Sequence, residues 1–318
     1  MAGPVLVTGA AGFAGNHLLA LLRREGVVDG WYRPGAPPPA TAPTPAQGVR
    51  WRAIDLRDMV AVHDALAQLK PQAVYHLAGA ANQGAAWANS DAALELNALV
   101  THVLLRAVAR HTPEARVLVT TSAAVYGRSD SPHREDSPVA PATPYGVSKL
   151  AQEMVALQAA RHERLDVVVV RPFNHIGPGQ DPGFFAPGFA RQLARIEAGI
   201  DAAPMRVGNL TPRRDLCDVR DTVRAYRLLM QHGASGEVYN VCRGEAVEIG
   251  AVLDLLRSDV TTSVDVLVDP EKLRPVDVPV VVGDRTRVTN TTGWTPEIPL
   301  AETLRDILAE QRAAVRHA

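Results

Sequence analysis

The 318-residue sequence has only two cysteines, Cys217 and Cys242, and its acidic and basic residues nearly balance, leaving a net charge of −1. Two distant cysteines without a secretory signal predict reduced thiols in a cytoplasmic protein and not a disulfide framework. The sequence also lacks a lysine- or arginine-rich tract. We therefore expect neither nucleic acid nor an anionic membrane surface as a partner.

Segments and motifs of several other protein classes are missing as well. The first residues, Met1-Ala2-Gly3-Pro4, lead directly into an apolar run, so we expect no signal peptide, and we find no apolar run long enough to cross a bilayer. The ten histidines are scattered and the cysteines lack ligand spacing, so we predict no metal site. No Gly-x-Ser-x-Gly motif is present, which disfavours α/β-hydrolase chemistry.

A glycine-rich turn follows the first apolar run, Val5-Leu6-Val7. The turn is Thr8-Gly9-Ala10-Ala11-Gly12-Phe13-Ala14-Gly15, and a helical pattern follows it. Such a turn lets backbone N–H groups approach a diphosphate, and the helix dipole favours the negative charge. The spacing is Gly-x-x-Gly-x-x-Gly, which by itself also fits a plain strand-to-helix turn. A strand before it and a helix after it favour a dinucleotide site.

Strand and helix patterns alternate through the first half of the chain. The apolar runs predict strands at 5–7, 27–33, 49–54, 73–78, 116–122 and 167–171. Helical patterns lie between them, including 94–110 and 145–161, and the Pro/Ala-rich stretch 34–48 predicts a surface loop. Repeated strand–helix units predict an α/β fold with a doubly wound parallel sheet of the Rossmann type.

The regular alternation ends near residue 172. We therefore predict a dinucleotide-binding domain over 1–172 and a smaller, mainly substrate-binding α/β part over 173–318, with possible crossings back to the sheet. The chain is long enough for one large domain or two fused ones.

Tyr145 and Lys149 lie four residues apart in Thr143-Pro144-Tyr145-Gly146-Val147-Ser148-Lys149. Thr143 suits an N-cap and Pro144 the first helical position, so both side chains should share one face of a helix. An ammonium beside a phenol lowers the pKa of the phenol, and the pair could move a proton near neutral pH. Alone, the spacing also fits an amphipathic surface pair.

Taken in order, these motifs resemble the extended short-chain dehydrogenase/reductases from residue 4 to about residue 310. The resemblance implies a Rossmann fold holding NAD or NADP, with nucleotide sugars as common substrates. It makes Tyr145 the general acid/base, while Lys149 binds the nicotinamide ribose and tunes the tyrosine. Ser122 would donate a hydrogen bond to the sugar oxygen. The remaining cofactor-binding residues implied by the resemblance are Gly9, Gly12, Phe13, Ala14, Gly15, Asp55, Leu56, Leu77, Ala78, Ala80, Asn97 and Pro172.

Arg33 departs from the pattern of many NAD-specific relatives, which place an acid after the second strand. Here that strand ends in Trp31-Tyr32-Arg33, and Asp29 comes too early. An arginine could meet a 2′-phosphate, so we favour NADP(H) over NAD(H), with an exposed loop arginine as the alternative.

The residues after Ser122 bear on the reaction. Related sugar 4,6-dehydratases resemble one another in having an acid there, but this chain has Ala123 and Ala124. A methyl group cannot take the C5 proton, so we predict no dehydratase activity. A 4-ketoreductase and a nucleotide-sugar 4-epimerase remain, and both use the same three residues. A cofactor-binding regulator without activity is a further alternative, which the intact Ser122, Tyr145 and Lys149 disfavour.

The substrate motifs resemble those of GDP-mannose dehydratases and GDP-4-keto-6-deoxy-D-mannose reductases. They are the stretches 171–180, 207–210 and 213–221. The resemblance favours reduction of GDP-4-keto-6-deoxy-D-mannose to GDP-D-rhamnose or GDP-6-deoxy-D-talose. It implies substrate diphosphate contacts from Asn174, Arg214 and Arg274. Salt bridges are the alternative, Arg214 with Asp215 or Asp218 and Arg274 with Asp277.

The helices near 94–110 and 145–161 have faces rich in Ala, Leu and Val. In relatives such helices pair across a dimer as a four-helix bundle, so we expect a homodimer. Burial against the sheet is the alternative for these faces.

Overall fold

The computed structural model describes residues 3–39, 42–273 and 278–316. The strands are β1 Val5–Thr8, β2 Val28–Tyr32, β3 Val49–Ala53, β4 Ala73–His76, β5 Arg116–Thr120, β6 Asp166–Pro172, β7 Asn174–Ile176, β8 Met205–Val207, β9 Arg213–Asp218, β10 Val238–Val241, β11 Ala246–Glu248, β12 Val266–Val268 and β13 Val280–Val281. The α-helices are α1 Phe13–Leu22, α2 Met59–Leu69, α3 Gln83–Ala88, α4 Ser90–Leu94, α5 Val100–His111, α6 Pro144–His162, α7 Phe185–Glu197, α8 Val219–His232, α9 Ile249–Ser258, α10 Thr286–Thr292 and α11 Leu300–Arg316.

Seven strands form one sheet in the order β10-β6-β5-β4-β1-β2-β3. Every neighbouring pair in this sheet is parallel. The order reverses direction at β1, beside β4, as in a doubly wound sheet whose ligand crevice lies at the carboxyl ends of the strands. The predicted fold class is confirmed.

Helices cover both faces of the sheet, which explains why its inner strands β1, β5 and β6 are largely apolar runs. Val167 and Val169 of β6 face a core with α2, α5 and α6, whereas Val168 and Val170 face a core with α1 and α8. All four valines are fully buried. Successive side chains of a strand point to opposite faces, so β6 contributes to two cores at once.

The second half of the chain builds a smaller layer beside the crevice. Strand β9 pairs with β7, β11 and β13 in a four-stranded sheet, and β8 pairs with β12. Helices α7, α9 and α11 contribute to a third core beneath them. The chain also returns to the main sheet, because β10 pairs with β6 and α8 covers β5 and β6. The division at residue 172 stays a prediction.

The long helix predicted at 94–110 is interrupted in the structure. Helix α4 continues through a π-helical turn, Glu95–Leu99, into α5. Together they form a helical run, Ser90–His111, that is long and apolar enough to cross a membrane, with mean hydropathy 1.4. The sequence patterns had suggested no such run. Its most apolar stretch is 44% buried, and α5 packs against α2 and α6, as expected of a helix in a globular core.

Candidate active site

A cleft of about 1360 Å³ lies at the carboxyl ends of the main-sheet strands and extends under the smaller layer. It brings together nearly all the residues that the sequence singled out. Asn97 is buried behind its wall, and Arg274 lies outside the described residues. The predicted residues that line the cleft are Gly9, Gly12, Phe13, Ala14, Gly15, Arg33, Asp55, Leu56, Leu77, Ala78, Ala80, Ser122, Tyr145, Lys149, Pro172, Asn174 and Arg214.

The glycine turn is shaped for an anionic group. Gly9 has a φ of +66°, and a Cβ there would lie 2.7 Å from the backbone nitrogen of Ala78. Gly12 is the N-cap of α1, and no side chain caps the first turn of that helix. The Ala10 and Gly12 N–H groups donate to backbone carbonyls, but the first turn of α1 has no side-chain cap, so its N–H groups can face a diphosphate, as the dinucleotide prediction requires.

Arginines surround the end of the cleft where β2 and β3 stop. Arg33 is exposed there, and Arg57 lies 2.7 Å from the Asp55 carboxylate. Hydrogen bonds from Arg57 lower the pKa of Asp55. Asp29 is fully buried in β2 and paired with Arg50 at 2.7 Å. Its burial and this pairing explain why it is not the missing ribose-binding acid.

Tyr145 lies in the first turn of α6, which begins as predicted. The Thr143 hydroxyl accepts a hydrogen bond from the Gly146 N–H at 3.0 Å, and Pro144 is the first helical residue. The helix start packs closely on the turn after β5, because a Cβ on Gly146 would lie 2.9 Å from the Cβ of Pro141 and closer still to the carbonyl of Ala124. This packing holds Tyr145 beside Ser122.

Burial raises the pKa of the Tyr145 phenol, and a hydrogen bond from Ser122 opposes that shift. The sequence had predicted the reverse, a phenol whose pKa an adjacent ammonium lowers. Burial acts on Lys149 as well and lowers its pKa to about 7. The physical reason for the difference is desolvation, which disfavours the charged form of both groups. Tyr145 is therefore a phenol at neutral pH, which suits an acid that gives up a proton.

Lys149 is only 5% exposed, and its ammonium reaches two protein acceptors. Its Nζ donates to the Thr120 carbonyl at 3.2 Å and to Gln152 Oε1 at 2.8 Å. Gln152 was not singled out in the sequence. Its position three residues after Lys149 on the same helix was the available signal.

Asn97 lies in the π-helical turn and contacts α6 from behind. Its Nδ2 donates to Ser148 Oγ at 2.8 Å, and Ser148 Oγ donates to the Tyr145 carbonyl at 2.8 Å. The Asn97 Oδ1 is buried without a hydrogen-bond partner among the described residues, beside Gly79. The Asn97 Oδ1 is therefore positioned to accept a hydrogen bond from a hydroxyl group of a bound molecule.

Ala123 and Ala124 form a short turn directly after Ser122, and both line the cleft. The Ala124 N–H donates to Ser122 Oγ at 3.1 Å, which fixes the serine side chain. Both positions thus carry methyl groups in the cleft lining, and Ala124 packs against Tyr145.

Arg214 lines the cleft and donates to the Val278 carbonyl at 2.8 Å. The two carboxylates considered as its partners have other contacts. Asp215 accepts from the N–H groups of residues 243, 244 and 283, and Asp218 pairs with Arg220 at 2.7 Å. Asn174 is exposed in the cleft at the start of β7. The roles of both residues stay predictions.

Other cleft residues were not predicted. They include Arg57, Arg191, Arg206 and Lys272, and the last three bring positive charge to the side under the smaller layer. Because they come from segments that meet only in the fold, no single motif marks them. Within the described parts of the chain, no three His, Cys, Asp or Glu side chains are grouped to hold a metal ion.

The geometry agrees with comparisons to known proteins. A family model described as GDP-mannose 4,6 dehydratase matches residues 6–307. The chain is 36% identical over 315 residues to GDP-6-deoxy-D-mannose reductase of Pseudomonas aeruginosa, covering 98% of both chains. It is also similar to the structure of RMD from Pseudomonas aeruginosa complexed with NADPH, with a TM-score of 0.84 and 34% identity over 98% of this chain and 100% of that one.

A third comparison concerns the UDP-glucose 4-epimerase of Thermus thermophilus in complex with NAD. The TM-score is 0.85 and the identity 27%, covering 98% of this chain and 99% of that one. The relative and the two solved structures each cover 98% of this chain. The chain therefore belongs to the GDP-mannose 4,6-dehydratase family, among the NAD(P)-dependent extended short-chain dehydrogenase/reductases.

Proposed function

We propose that this protein is an NAD(P)H-dependent 4-ketoreductase acting on a GDP-linked 6-deoxy-4-keto-hexose. The observation that carries the proposal is the pairing of a buried, protonated Tyr145 with the methyl groups of Ala123 and Ala124. Ketone reduction needs a proton donor at the new alkoxide, whereas 4,6-elimination needs a further group to take the C5 proton. The full-length similarity to a GDP-6-deoxy-D-mannose reductase supports the same reaction and substrate.

In this mechanism NAD(P)H supplies a hydride to C4 of the sugar when it is bound. Tyr145 gives its phenolic proton to the O4 oxygen as the carbonyl becomes an alcohol. Ser122 donates a hydrogen bond to the same oxygen and stabilises the negative charge that develops there. Lys149, as an ammonium beside Tyr145, stabilises the phenolate left behind until a solvent proton replaces the one transferred.

The glycine turn and the uncapped start of α1 would hold the cofactor diphosphate, and Asp55 and Leu56 would flank the adenine. We propose NADP(H) as the preferred cofactor, because the exposed Arg33 lines the end of the cleft where a 2′-phosphate would lie. Asn174 and Arg214 would contact the substrate diphosphate from the other side of the cleft. The contact assigned to Arg274 lies outside the described residues.

The protein is also proposed to act as a cytoplasmic homodimer. Apolar side chains remain exposed on adjoining helical elements, namely Leu94, Leu99, Val147 and Met154. Helix α6 packs against α4 and the π-helical turn, so these side chains lie on neighbouring parts of one surface. A second copy would cover them.

Conversion of an enzymatically prepared GDP-4-keto-6-deoxy-D-mannose, with NADPH or NADH added, tests the function. We expect one NAD(P)H oxidised per sugar reduced, with NMR of the product showing a single C4 configuration, GDP-D-rhamnose or GDP-6-deoxy-D-talose. The corresponding UDP- and dTDP-linked keto sugars serve as controls for the nucleotide base. An absence of NAD(P)H oxidation with all of these keto sugars would contradict the reductase.

A nucleotide-sugar 4-epimerase is the second candidate, favoured by the similarity to a UDP-glucose 4-epimerase. The same Tyr145 would then act alternately as base and acid. An epimerase purifies with tightly bound NAD and interconverts C4 epimers with no cofactor added. Interconversion under those conditions would select it over the reductase. An inactive regulator would show neither behaviour.

A further inference from the structure

A chain of buried hydrogen bonds runs behind the cleft from Lys149 to β1. Gln152 Oε1 accepts from Lys149 Nζ at 2.8 Å, and Gln152 Nε2 donates to Thr101 Oγ1 at 3.0 Å. Thr101 Oγ1 lies 2.8 Å from His76 Nε2, and His76 Nδ1 lies 2.7 Å from Thr8 Oγ1. Lys149 is 5% exposed and the other four side chains are fully buried. This series of hydrogen bonds therefore lies in the protein interior and not on the solvent-exposed surface.

The direction of each hydrogen bond follows from one carbonyl. The Thr101 hydroxyl donates to the Asn97 carbonyl at 2.6 Å, and a carbonyl can only accept. Since its single proton is used there, Thr101 Oγ1 accepts from Gln152 and from His76. The amide nitrogen of Gln152 must then face Thr101, and its oxygen must face Lys149.

This arrangement leaves Lys149 with a defined third hydrogen bond to make. An ammonium has three N–H donors, of which one goes to Gln152 Oε1 and one to the Thr120 carbonyl of β5. The third is directed to the cleft, which Lys149 lines. A neutral amine would keep two N–H donors for these acceptors but would turn a lone pair to the cleft, and its hydrogen bonds to both oxygens would be weaker than those of the ammonium.

Few charged groups act on this ammonium. Tyr145 lies one turn earlier on α6, and His76 faces it from β4. Burial lowers the pKa of His76 to about 3, so the imidazole is neutral. The next acid on α6, Glu153, is paired with Arg171. Burial lowers the pKa of Lys149 to about 7, and no described carboxylate offsets the shift.

We propose that Gln152 is a positioning residue that keeps Lys149 in its ammonium form and directs one N–H into the cleft. The proposal rests on the function assigned above to Lys149 beside Tyr145. It assigns a role to Gln152, whose amide orientation the Asn97 carbonyl fixes through the Thr101 hydroxyl. Gln152 would touch neither cofactor nor substrate, and it is absent from the cleft lining.

Lysine titration by NMR tests this directly, because the chain has only three lysines, Lys70, Lys149 and Lys272. Protein labelled with carbon-13 at lysine Cε gives one signal for each. The variants Lys70→Arg and Lys272→Arg assign two of them, and the third belongs to Lys149. The pH dependence of that signal reports its protonation without cofactor, substrate or turnover.

We expect Gln152→Leu to shift the Lys149 titration down by about one pH unit, because a hydrogen bond to the charged form is lost. Gln152→Glu should shift it up by at least as much, because a carboxylate replaces the amide oxygen. Thr101→Val removes the acceptor that orients the amide and should shift it down by less than Gln152→Leu does. Gln158→Leu makes the same change at an exposed position of α6 and should leave it unchanged.

An unchanged Lys149 titration in folded Gln152→Leu would overturn the proposal. If that variant does not fold, as judged by near-ultraviolet circular dichroism, the nearly isosteric Gln152→Glu decides, and an absent upward shift overturns it. With the keto sugar, the alkaline limb of kcat/KM should move with the NMR titration in each variant. A shift seen by NMR in a protein that reduces no keto sugar would leave the positioning proposal standing and remove the proposed function.

Discussion

The Arg171 guanidinium and the Glu153 carboxylate form a buried ion pair, with Nη2 and Oε1 2.5 Å apart. Arg171 lies near the end of β6, and Glu153 lies one turn beyond Lys149 on α6. The hydroxyl of Thr121, the residue before Ser122, shares its proton between this carboxylate at 3.3 Å and the Val170 carbonyl at 3.0 Å. One carboxylate thus joins the helix of Tyr145 and Lys149 to the strand end that presents Ser122.

Removing one member of this pair should be costly. Arg171→Met leaves Glu153 as an uncompensated buried charge, and we expect a loss of about 3–5 kcal/mol in the free energy of unfolding. The double variant Arg171→Met with Glu153→Leu should recover much of that loss. Arg195→Met, which breaks an exposed pair with Asp201, is the control and should cost less than about 1 kcal/mol. Urea unfolding measures all three, and equal losses for the two single variants would refute the argument.

Tyr145→Phe should lower kcat by roughly 100- to 10,000-fold, because it removes the proton donor. The phenyl ring keeps the packing of α6, so the dissociation constant of NADPH should change little. Single-turnover reduction of the keto sugar and fluorescence titration of NADPH measure the two quantities. Unchanged turnover would mean that another group supplies the proton.

Arg33→Ser should weaken NADPH binding by roughly 10- to 100-fold, the loss expected for a hydrogen-bonded charge pair with phosphate. NADH lacks the 2′-phosphate, so its affinity should not fall. The control is Arg24→Ser, an exposed arginine that does not line the cleft. Equal weakening of both cofactors would contradict recognition of the phosphate by Arg33.

Stability should fall on acidification because of His76. Burial lowers its pKa in the folded protein to about 3, below the value of about 6.5 for an exposed imidazole. Between these two values the unfolded chain takes up a proton that the folded chain does not, so stability is lost as the pH falls, by about 1.4 kcal/mol per pH unit.

His76→Gln should make the free energy of unfolding depend less on pH between roughly pH 6 and pH 4, although the variant is less stable than the parent protein at about pH 8. His102→Gln, at an exposed position of α5, should leave the slope as it is. Urea unfolding at several pH values gives the slopes. The same slope in His76→Gln as in the parent protein would show that other groups dominate.

If two copies associate through the exposed apolar side chains of α4, α6 and the π-helical turn, negative charges placed among them should separate the subunits. Leu99 is 55% exposed and Met154 64%, and Leu99→Glu with Met154→Glu should halve the mass seen by light scattering. Leu267→Glu with Val268→Glu adds the same two charges on β12, away from these helices, and should leave the mass unchanged. A parent protein that already runs as a monomer would refute the dimer itself.

Six of the seven strands of the main sheet could be predicted, because most of them are buried on both faces and turn residues bound them, whereas β10 was not predicted as a strand. The uninterrupted valines 167–170 could only be a central strand, and Thr143-Pro144 marked the start of α6 to the residue. The π-helical turn at Asn97 could not be predicted, since its sequence, Glu95-Leu96-Asn97-Ala98-Leu99, has ordinary helical propensity and the turn forms in contact with α6.

The candidate site likewise has features that local motifs predict and features that depend on the assembled fold. Residues in local motifs, such as Gly9 and Tyr145, could be singled out once the motifs were taken together, although neither spacing alone assigned a role. The protonation of Tyr145 and Lys149 could not, because it depends on how much water the assembled fold removes from them. The role proposed for Gln152 could not be predicted either, because it depends on a hydrogen bond to Thr101, which lies 51 positions away in the sequence.

The return of β10 to the main sheet means that the two halves of this chain are not separable parts. A fragment ending at residue 172 would leave β6 as an open edge with unpaired backbone groups beside four apolar valines, a template for aggregation. The strand that protects this edge is encoded 66 residues later, at Val238. The edge of β6 in a newly made chain therefore stays open until the ribosome has passed β10, and residues 1–172 depend on this later strand to cover it.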